Sequence, residues 1–279
     1  MKRIILQEMM NKFITGLYTE EKSGNTISKY RHDIQFFAEY AKEREICKSL
    51  VVEYKAFLAH KYAISSANSM LAALNAFLRF QGWEDCCVKP YKVQKRVFCS
   101  EEEELTKAEY IRLVEAAKKC GNQRMYFVLQ TICGTGIRVS ELQYITVEAV
   151  QKGEAIVSCK GKTRVIIIVK ELQKRLLHYI KCRRLESGAV FITRNGKPVN
   201  RSNIWREMKC LCEKADVRPE KVFPHNLRHL FARIFYSLEK DVVKLADILG
   251  HSSINTTRIY MMTTSAEHRS RMELMHLII

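Results

Sequence analysis

Apolar residues recur at helical spacing through the N-terminal part of the chain. Ile5, Met9, Phe13 and Leu17 mark one stripe over residues 4–17. The Ser23-Gly24-Asn25 turn then delivers a second helix capped by Thr26, with Ile27, Tyr30, Ile34 and Phe37 facing inward. A third element runs through Tyr54, Phe57 and Leu58. A fourth begins near Ser66, carries Leu71, Leu74 and Leu78, and stops at Gly82. These segments predict a small all-helical bundle over residues 1–85. Periodicity then lapses, and Lys89, Lys92, Lys95 and Arg96 gather near Pro90, which reads as a basic interdomain linker over residues 86–104.

A second pattern starts at Thr106-Lys107-Ala108-Glu109, a capping box ahead of the helical stripe Ile111, Val114 and Ala117. Two β-branched runs, 154–160 and 163–169, flank Lys160-Gly161-Lys162 and predict a hairpin with a basic tip. Helical spacing resumes over 171–186, a short strand follows at 189–192, Asn195-Gly196 turns the chain, and the rest from Ser202 reads mainly helical. The expected fold is mainly α with a small antiparallel β-sheet: a helical bundle followed by a mixed α/β domain at 105–279. No internal repeat or low-complexity segment interrupts it.

Composition sharpens this picture. A chain of 279 residues that is 47% hydrophobic can bury two cores. Lys and Arg number 47 against 30 Asp and Glu, a net charge of +17 that calls for a polyanionic partner. Residues 1–100 hold 16 basic and 10 acidic side chains, and residues 101–279 hold 31 and 20, so both domains are equipped to grip nucleic acid. Lys29, Arg31, Lys55, Lys61 and Arg79 of the bundle are either solvated surface or part of that grip, and the sequence leaves the choice open. Among the ten cysteines, Cys86-Cys87 and Cys210-Leu211-Cys212 lack a second pair at zinc-site spacing, so free thiols and no structural metal are expected. No secretory signal is present, and no apolar run approaches the roughly 18 residues that span a bilayer. A soluble cytoplasmic protein with no membrane association follows.

The chemistry is concentrated in two places. Near the C-terminus stand His225, Arg228, His229, His251 and Tyr260, and upstream Arg138 has a carboxylate, Glu141, three residues on, a spacing that places both on one helical face. Two guanidinium forks and imidazole donors can neutralise the charge of a phosphodiester in transition without a metal, while a phenol supplies the attacking oxygen. A zinc site at His225 and His229 fails for want of an H-E-x-x-H glutamate and a third ligand at motif spacing.

Taken together, Gly134-Thr135-Gly136-Ile137-Arg138-Val139-Ser140-Glu141-Leu142, His225-Asn226-Leu227-Arg228-His229 and Leu249-Gly250-His251 with Tyr260 resemble the tyrosine recombinase (integrase) family. The fit is to its short two-domain Xer-type members and covers most of the chain. The resemblance implies a SAM-like core-binding bundle and a catalytic domain of the DNA breaking-rejoining type. It implies site-specific recombination through a 3′-phosphotyrosyl intermediate with Tyr260 as nucleophile. Arg138 and Arg228 would clamp the phosphate, His225 and His251 would share proton transfer and hydrogen bonding, and Lys160 would protonate the leaving 5′ oxygen. Glu141 and His229 would support them, and Lys162 and Arg164, with the linker cations, would contact backbone phosphates. No cofactor is implied. The expected partner is double-stranded DNA with a specific recombination site, bound on the nucleoid by a homotetramer; the apolar C-terminal tail, residues 266–279, is expected to be exchanged between subunits, with packing in cis as the alternative. Phe231-Ala232-Arg233 and Cys133-Gly134 depart from the usual residues of the family without removing a reacting group. Two alternatives use the same fold: a relaxing enzyme of the type IB topoisomerase kind, and a catalytically inactive DNA-binding accessory protein, against which the intact set of reacting groups argues. Inversion, dimer resolution, integration or excision and transposition all fit, and target sequence and directionality are not legible.

Overall fold

The computed structural model describes residues 3–93, 104–159, 162–251, 253–258, 260 and 273–275, with Cys159 and Lys162 described by their backbones alone. The chain divides into two compact units, residues 1–95 and 96–279.

In the first unit the apolar stripes become helices α1 (Gln7–Thr19), α2 (Gly24–Ala41), α3 (Lys48–Lys61) and α4 (Ile64–Phe80). The second helix is capped by Ser23, not Thr26: the extended Ser23 places its hydroxyl to accept from the Thr26 amide, so the helix begins at Gly24. Phe37, Tyr54, Leu58, Leu71, Leu74 and Leu78 form the principal core, and Phe13, Ile34 and Phe77 form a second cluster. Residues 86–91, expected to begin the linker, are instead fastened to the bundle. Cys86 and Val88 lie in its core. The Asn75 side chain donates to the Val88 carbonyl at 2.8 Å and accepts from its amide at 3.0 Å, and Asn68 treats Tyr91 the same way at 2.9 and 2.8 Å. Each amide fork satisfies both polar groups of a backbone unit that has no strand partner. Lys89 and Lys92 project into solvent.

The second unit opens with α5 (Lys107–Lys119) behind the reciprocal Thr106–Glu109 capping box. Its buried residues are Leu113, Ala116 and Ala117, while Ile111 is 44% exposed, so the apolar stripe is rotated from the one expected. Helix α6 (Gln123–Thr135) packs on α5, and a 3-10 turn, Val139–Tyr144, leads to α7 (Val147–Lys152). Strands β1 (Glu154–Cys159) and β2 (Lys162–Ile167) form the antiparallel hairpin, with Ile156 opposite Val165. Alternation buries Ala155, Val157, Ile166 and Ile168 on one face. After α8 (Lys170–Arg183), the strand expected at 189–192 is reduced to isolated bridges, Thr146 with Ala189 and Ile192 with Pro198. Pro198 has no N–H with which to extend a ladder. Helices α9 (Arg201–Lys209), α10 (Cys212–Ala215), α11 (Pro224–Glu239), α12 (Val242–Leu249) and α13 (Ile254–Arg258) complete the unit, with α11 lying on α6. Among the described residues no helix is long and apolar enough to cross a membrane.

Candidate active site

A glycine starts the site. Gly136 ends α6 in the left-handed region (φ +64°), and a Cβ there would lie 2.5 Å from the Phe231 ring and 3.1 Å from Leu249. Only a residue without a side chain both stops this helix and lets α11 and α12 come this close. The chain therefore leaves α6 before Arg138, which is extended (φ −73°, ψ 145°) and caps the 3-10 turn. The expected shared helical face is not what joins Arg138 to Glu141. Instead the Glu141 carboxylate folds back on its own turn, accepting from the Arg138 amide at 2.9 Å and from Arg138 Nη1 at 2.9 Å. Arg138 Nη2 donates to the Gly250 carbonyl at 3.2 Å.

Glu141 is 3% exposed. Burial opposes its ionisation, but the Arg138 amide and the charges and bonds of Arg164 and Arg138 hold its carboxyl below the usual range. Arg164 corrects an expectation. It is not a phosphate contact on the hairpin surface; it points inward from β2, donating through Nη2 to Glu141 and through Nη1 to the Ile248 carbonyl at 2.7 Å.

On α11, Arg228 is 1% exposed. It donates to the Gly136 carbonyl at 2.5 Å and the Leu249 carbonyl at 2.8 Å, and its Nη2 lies 3.0 Å from His251 Nε2. Among the described residues no carboxylate pairs with it. Burial, joined by the nearby Arg138 charge, lowers its pKa to about 10, against which a hydrogen bond with Tyr260 acts. His251 follows α12 through Gly250, and its Nδ1 lies 2.8 Å from the hydroxyl of the fully buried Thr257. A guanidinium only donates, so Nε2 accepts from Arg228 and Nδ1 carries the proton that Thr257 accepts. Burial and the charges of Arg228, Arg138 and Arg164 push the His251 pKa down to about 4.

Tyr260 lies in this cage and is 4% exposed. Its ring centroid is 4.2 Å from His229, 5.4 Å from His251 and 5.8 Å from His225. His229 is therefore a wall of the tyrosine pocket; burial, then His225 and Arg228, lower its pKa to about 3. His225, at the solvent rim, stands 4.6 Å from the His229 ring, and partial desolvation with Arg228, Arg201 and Arg138 also lowers its pKa.

Arg138, Glu141, His225, Arg228, His229, His251 and Tyr260 thus converge. Lys160, Lys95 and Arg96 lie outside the described residues, as does the side chain of Lys162. Of the tail at 266–279 only residues 273–275 are described, with Leu274 and Met275 exposed. The sequence reading missed Thr257, whose signal was its place three residues before Tyr260. It also missed the carbonyls of Gly136, Ile248 and Leu249, which carry no side-chain signal at all. Among the described residues no group of three or more His, Cys, Asp or Glu side chains is placed to hold a metal.

Two guanidinium groups, imidazoles and a phenol brought together are the kind of equipment that phosphoryl transfer uses. The phage integrase family matches residues 103–267, and the phage integrase N-terminal SAM-like domain matches residues 10–85. The chain belongs to the phage integrase family, and it is an enzyme of the tyrosine recombinase class. Tyrosine recombinase XerA of Thermococcus kodakarensis is 30% identical over 97% of this chain and 96% of its own length, and XerA of Pyrococcus furiosus is 28% identical over 99% and 97%. A crystal structure of XerA recombinase is 26% identical with a TM-score of 0.55, covering 98% of this chain and 99% of that one. A XerH site-specific recombinase bound to its difH substrate shares the fold, with a TM-score of 0.70 at 17% identity over 97% of this chain and 99% of that one.

Proposed function

We propose that this chain cuts and rejoins double-stranded DNA at a specific recombination site through a 3′-phosphotyrosyl bond to Tyr260. The observation that carries the proposal is Arg228, a buried cation with no carboxylate partner among the described residues, held beside Tyr260. Arg138 and Arg228 take the non-bridging oxygens of the scissile phosphate, and His251, fixed by Thr257, faces the same group. As the Tyr260 oxygen bonds to phosphorus, the bond to the 5′ oxygen breaks. The phenol proton passes to His225 at the rim, and Lys160 gives one to the leaving oxygen. The phosphotyrosine keeps the energy of the broken bond, so attack by a 5′ hydroxyl of the partner strand restores Tyr260 without ATP or a metal.

Around this centre, residues 1–85, with 86–91 fastened to them, act as the core-binding domain, 105–279 act as the catalytic domain, and the rest of the basic stretch up to 104 joins the two. Lys89, Lys92, Lys95, Arg96 and Lys162 contact backbone phosphates. The family likeness supports four copies on two sites, with the apolar tail 266–279 of one copy docking on the next, and a working place on the nucleoid.

The test begins with DNA sites enriched from random duplexes by binding to Tyr260→Phe. A nicked duplex carrying such a site, incubated with the unaltered protein in EDTA, is expected to yield a covalent adduct on a denaturing gel. Tyr260→Phe binds and forms none; an adduct retained by that variant overturns the assignment. Relaxation of a supercoiled plasmid lacking the site would point to the topoisomerase-like activity instead.

A further inference from the structure

Three guanidinium groups, those of Arg138, Arg164 and Arg228, surround the site, and the Glu141 carboxylate pairs with the first two of them. Its two oxygens are divided: Oε1 accepts from Arg138 Nη1, while Oε2 accepts from the Arg138 amide and from Arg164. Arg138 and Glu141 alone would form a neutral pair. With Arg164 the cluster keeps one net positive charge, on the side where Arg138 is partly open to solvent.

The fold takes trouble to put Arg164 there. Its stem fills the space that a side chain at position 250 would need: a Cβ on Gly250 would lie 2.4 Å from Arg164 Cδ and 3.0 Å from Nε, at a backbone φ of +64°. The Nη1 bond ties β2 to the Ile248 carbonyl, two residues before the carbonyl that receives Arg138. Its buried Nε finds no partner among the described residues, while its two Nη atoms carry the contacts to Ile248 and Glu141.

We propose that Arg164 is a positioning residue of the phosphate site: by occupying one oxygen of Glu141 it leaves the charge of Arg138 available to the scissile phosphate, and it braces the Ile248–Gly250 turn that presents His251. This rests on the phosphoryl-transfer function proposed above, since it assigns what Arg164 does for that same phosphate.

The test is a cycle of variants in the nicked-duplex assay, each checked for folding by thermal unfolding. Arg164→Met should slow adduct formation about 10- to 100-fold, less than loss of a direct donor to the phosphate. Adding Glu141→Gln should return roughly tenfold of that loss, because glutamine still caps the turn but no longer neutralises Arg138. Arg164→Lys, which keeps the charge beside Glu141, should stay within about tenfold of the parent. A residue needed only for folding would show no recovery in the double variant and no benefit from lysine; either result overturns the proposal. Where Arg164→Met does not fold, the lysine variant decides. Failure of the phosphoryl-transfer function itself looks different: the parent protein forms no adduct. The His251 imidazole titration, followed by NMR, then decides alone. It moves upward in Arg164→Met if Arg164 sets the charge of the site, and it stays put if it does not.

Discussion

Two buried charges, Asp33 in the first unit and Arg228 in the second, are treated in opposite ways. In the first unit Asp33 is 5% exposed and is met at once by Lys29, one helical turn earlier, with His32 beside it. In the second unit Arg228 is more deeply buried, and its bonds go to two carbonyls, an imidazole and Tyr260. A buried charge without an opposite charge costs several kcal/mol unless something external supplies one. The first arrangement is stability chemistry; the second leaves a cation for the phosphate of the proposed reaction to meet. Other cations of the first unit reinforce the contrast: Lys61 lies over the Phe36, Phe57 and Tyr62 rings and Lys55 over Tyr91, satisfied at the surface by aromatic faces.

The largest expected effect tests that role of Arg228 directly. Arg228→Met should lower the rate of adduct formation on the order of 10²- to 10³-fold. Its effect on stability should stay within about 2 kcal/mol, because relief of the uncompensated charge offsets the carbonyl bonds lost at Gly136 and Leu249. Adduct kinetics and chemical denaturation of the same variant check both halves. Collapse of the fold with no separate loss of rate would make Arg228 a structural cation and erase the difference between the units.

Next comes the backbone that brings the anion site together. Gly250→Ala forces a side chain into the left-handed region and into Arg164 Cδ at 2.4 Å. Strain and overpacking together should cost about 2–4 kcal/mol, read as a lower denaturation midpoint. Gly82, also left-handed but with open space around it, should tolerate alanine at about 1 kcal/mol. Equal losses at both positions would show that crowding at Gly250 is unimportant.

How far these features could be read in advance depends on whether side chains or main chain carry them. The helices of the first unit are legible in their leucine and aromatic stripes, and the sequence resemblance singles out Arg138, Arg228, His251 and Tyr260, which the fold brings together. The three-residue spacing of Arg138 and Glu141 suggests a shared helical face, but Gly136 ends α6 before Arg138 and leaves it extended. Arg164 was assigned to DNA because it follows a basic turn. Yet with Ile166 and Ile168 buried, alternation along β2 turns Arg164 to the same face, a signal that charge obscured. The partners of Arg228 are carbonyls, and no sequence pattern reports which carbonyls a fold leaves free.

A smaller effect concerns pH. His229 has its pKa lowered to about 3 in the folded protein, chiefly by burial, against about 6.5 for a free histidine. The unfolded chain therefore binds a proton that the folded chain refuses, so the contribution of His229 is complete above pH 6.5 and is lost as pH falls toward the folded value. By pH 5 the loss from this residue should reach about 2 kcal/mol. Urea midpoints at pH 7 and pH 5 should fall further for the parent than for His229→Gln. Parallel falls would place His229 outside the desolvated cage around Tyr260.

The smallest effect returns to the first unit. The Tyr54 hydroxyl is buried without a hydrogen-bond partner among the described residues, and burial, followed by the nearby Asp33 charge, raises its pKa. The ring itself packs against Phe37 and Tyr40 at centroid distances of 4.7 and 5.0 Å, so Phe at this position keeps the packing and removes only the oxygen. Removing an unsatisfied buried polar atom should leave stability unchanged or raise it by up to about 1 kcal/mol. The phenol buried beside Arg228 would answer differently, since its hydroxyl is the reacting group in the function proposed above. A clear loss of stability in Tyr54→Phe would mean that its oxygen has a partner, such as a bridging water to Asp33, and that the buried polar groups of the first unit are more fully satisfied than Arg228 is.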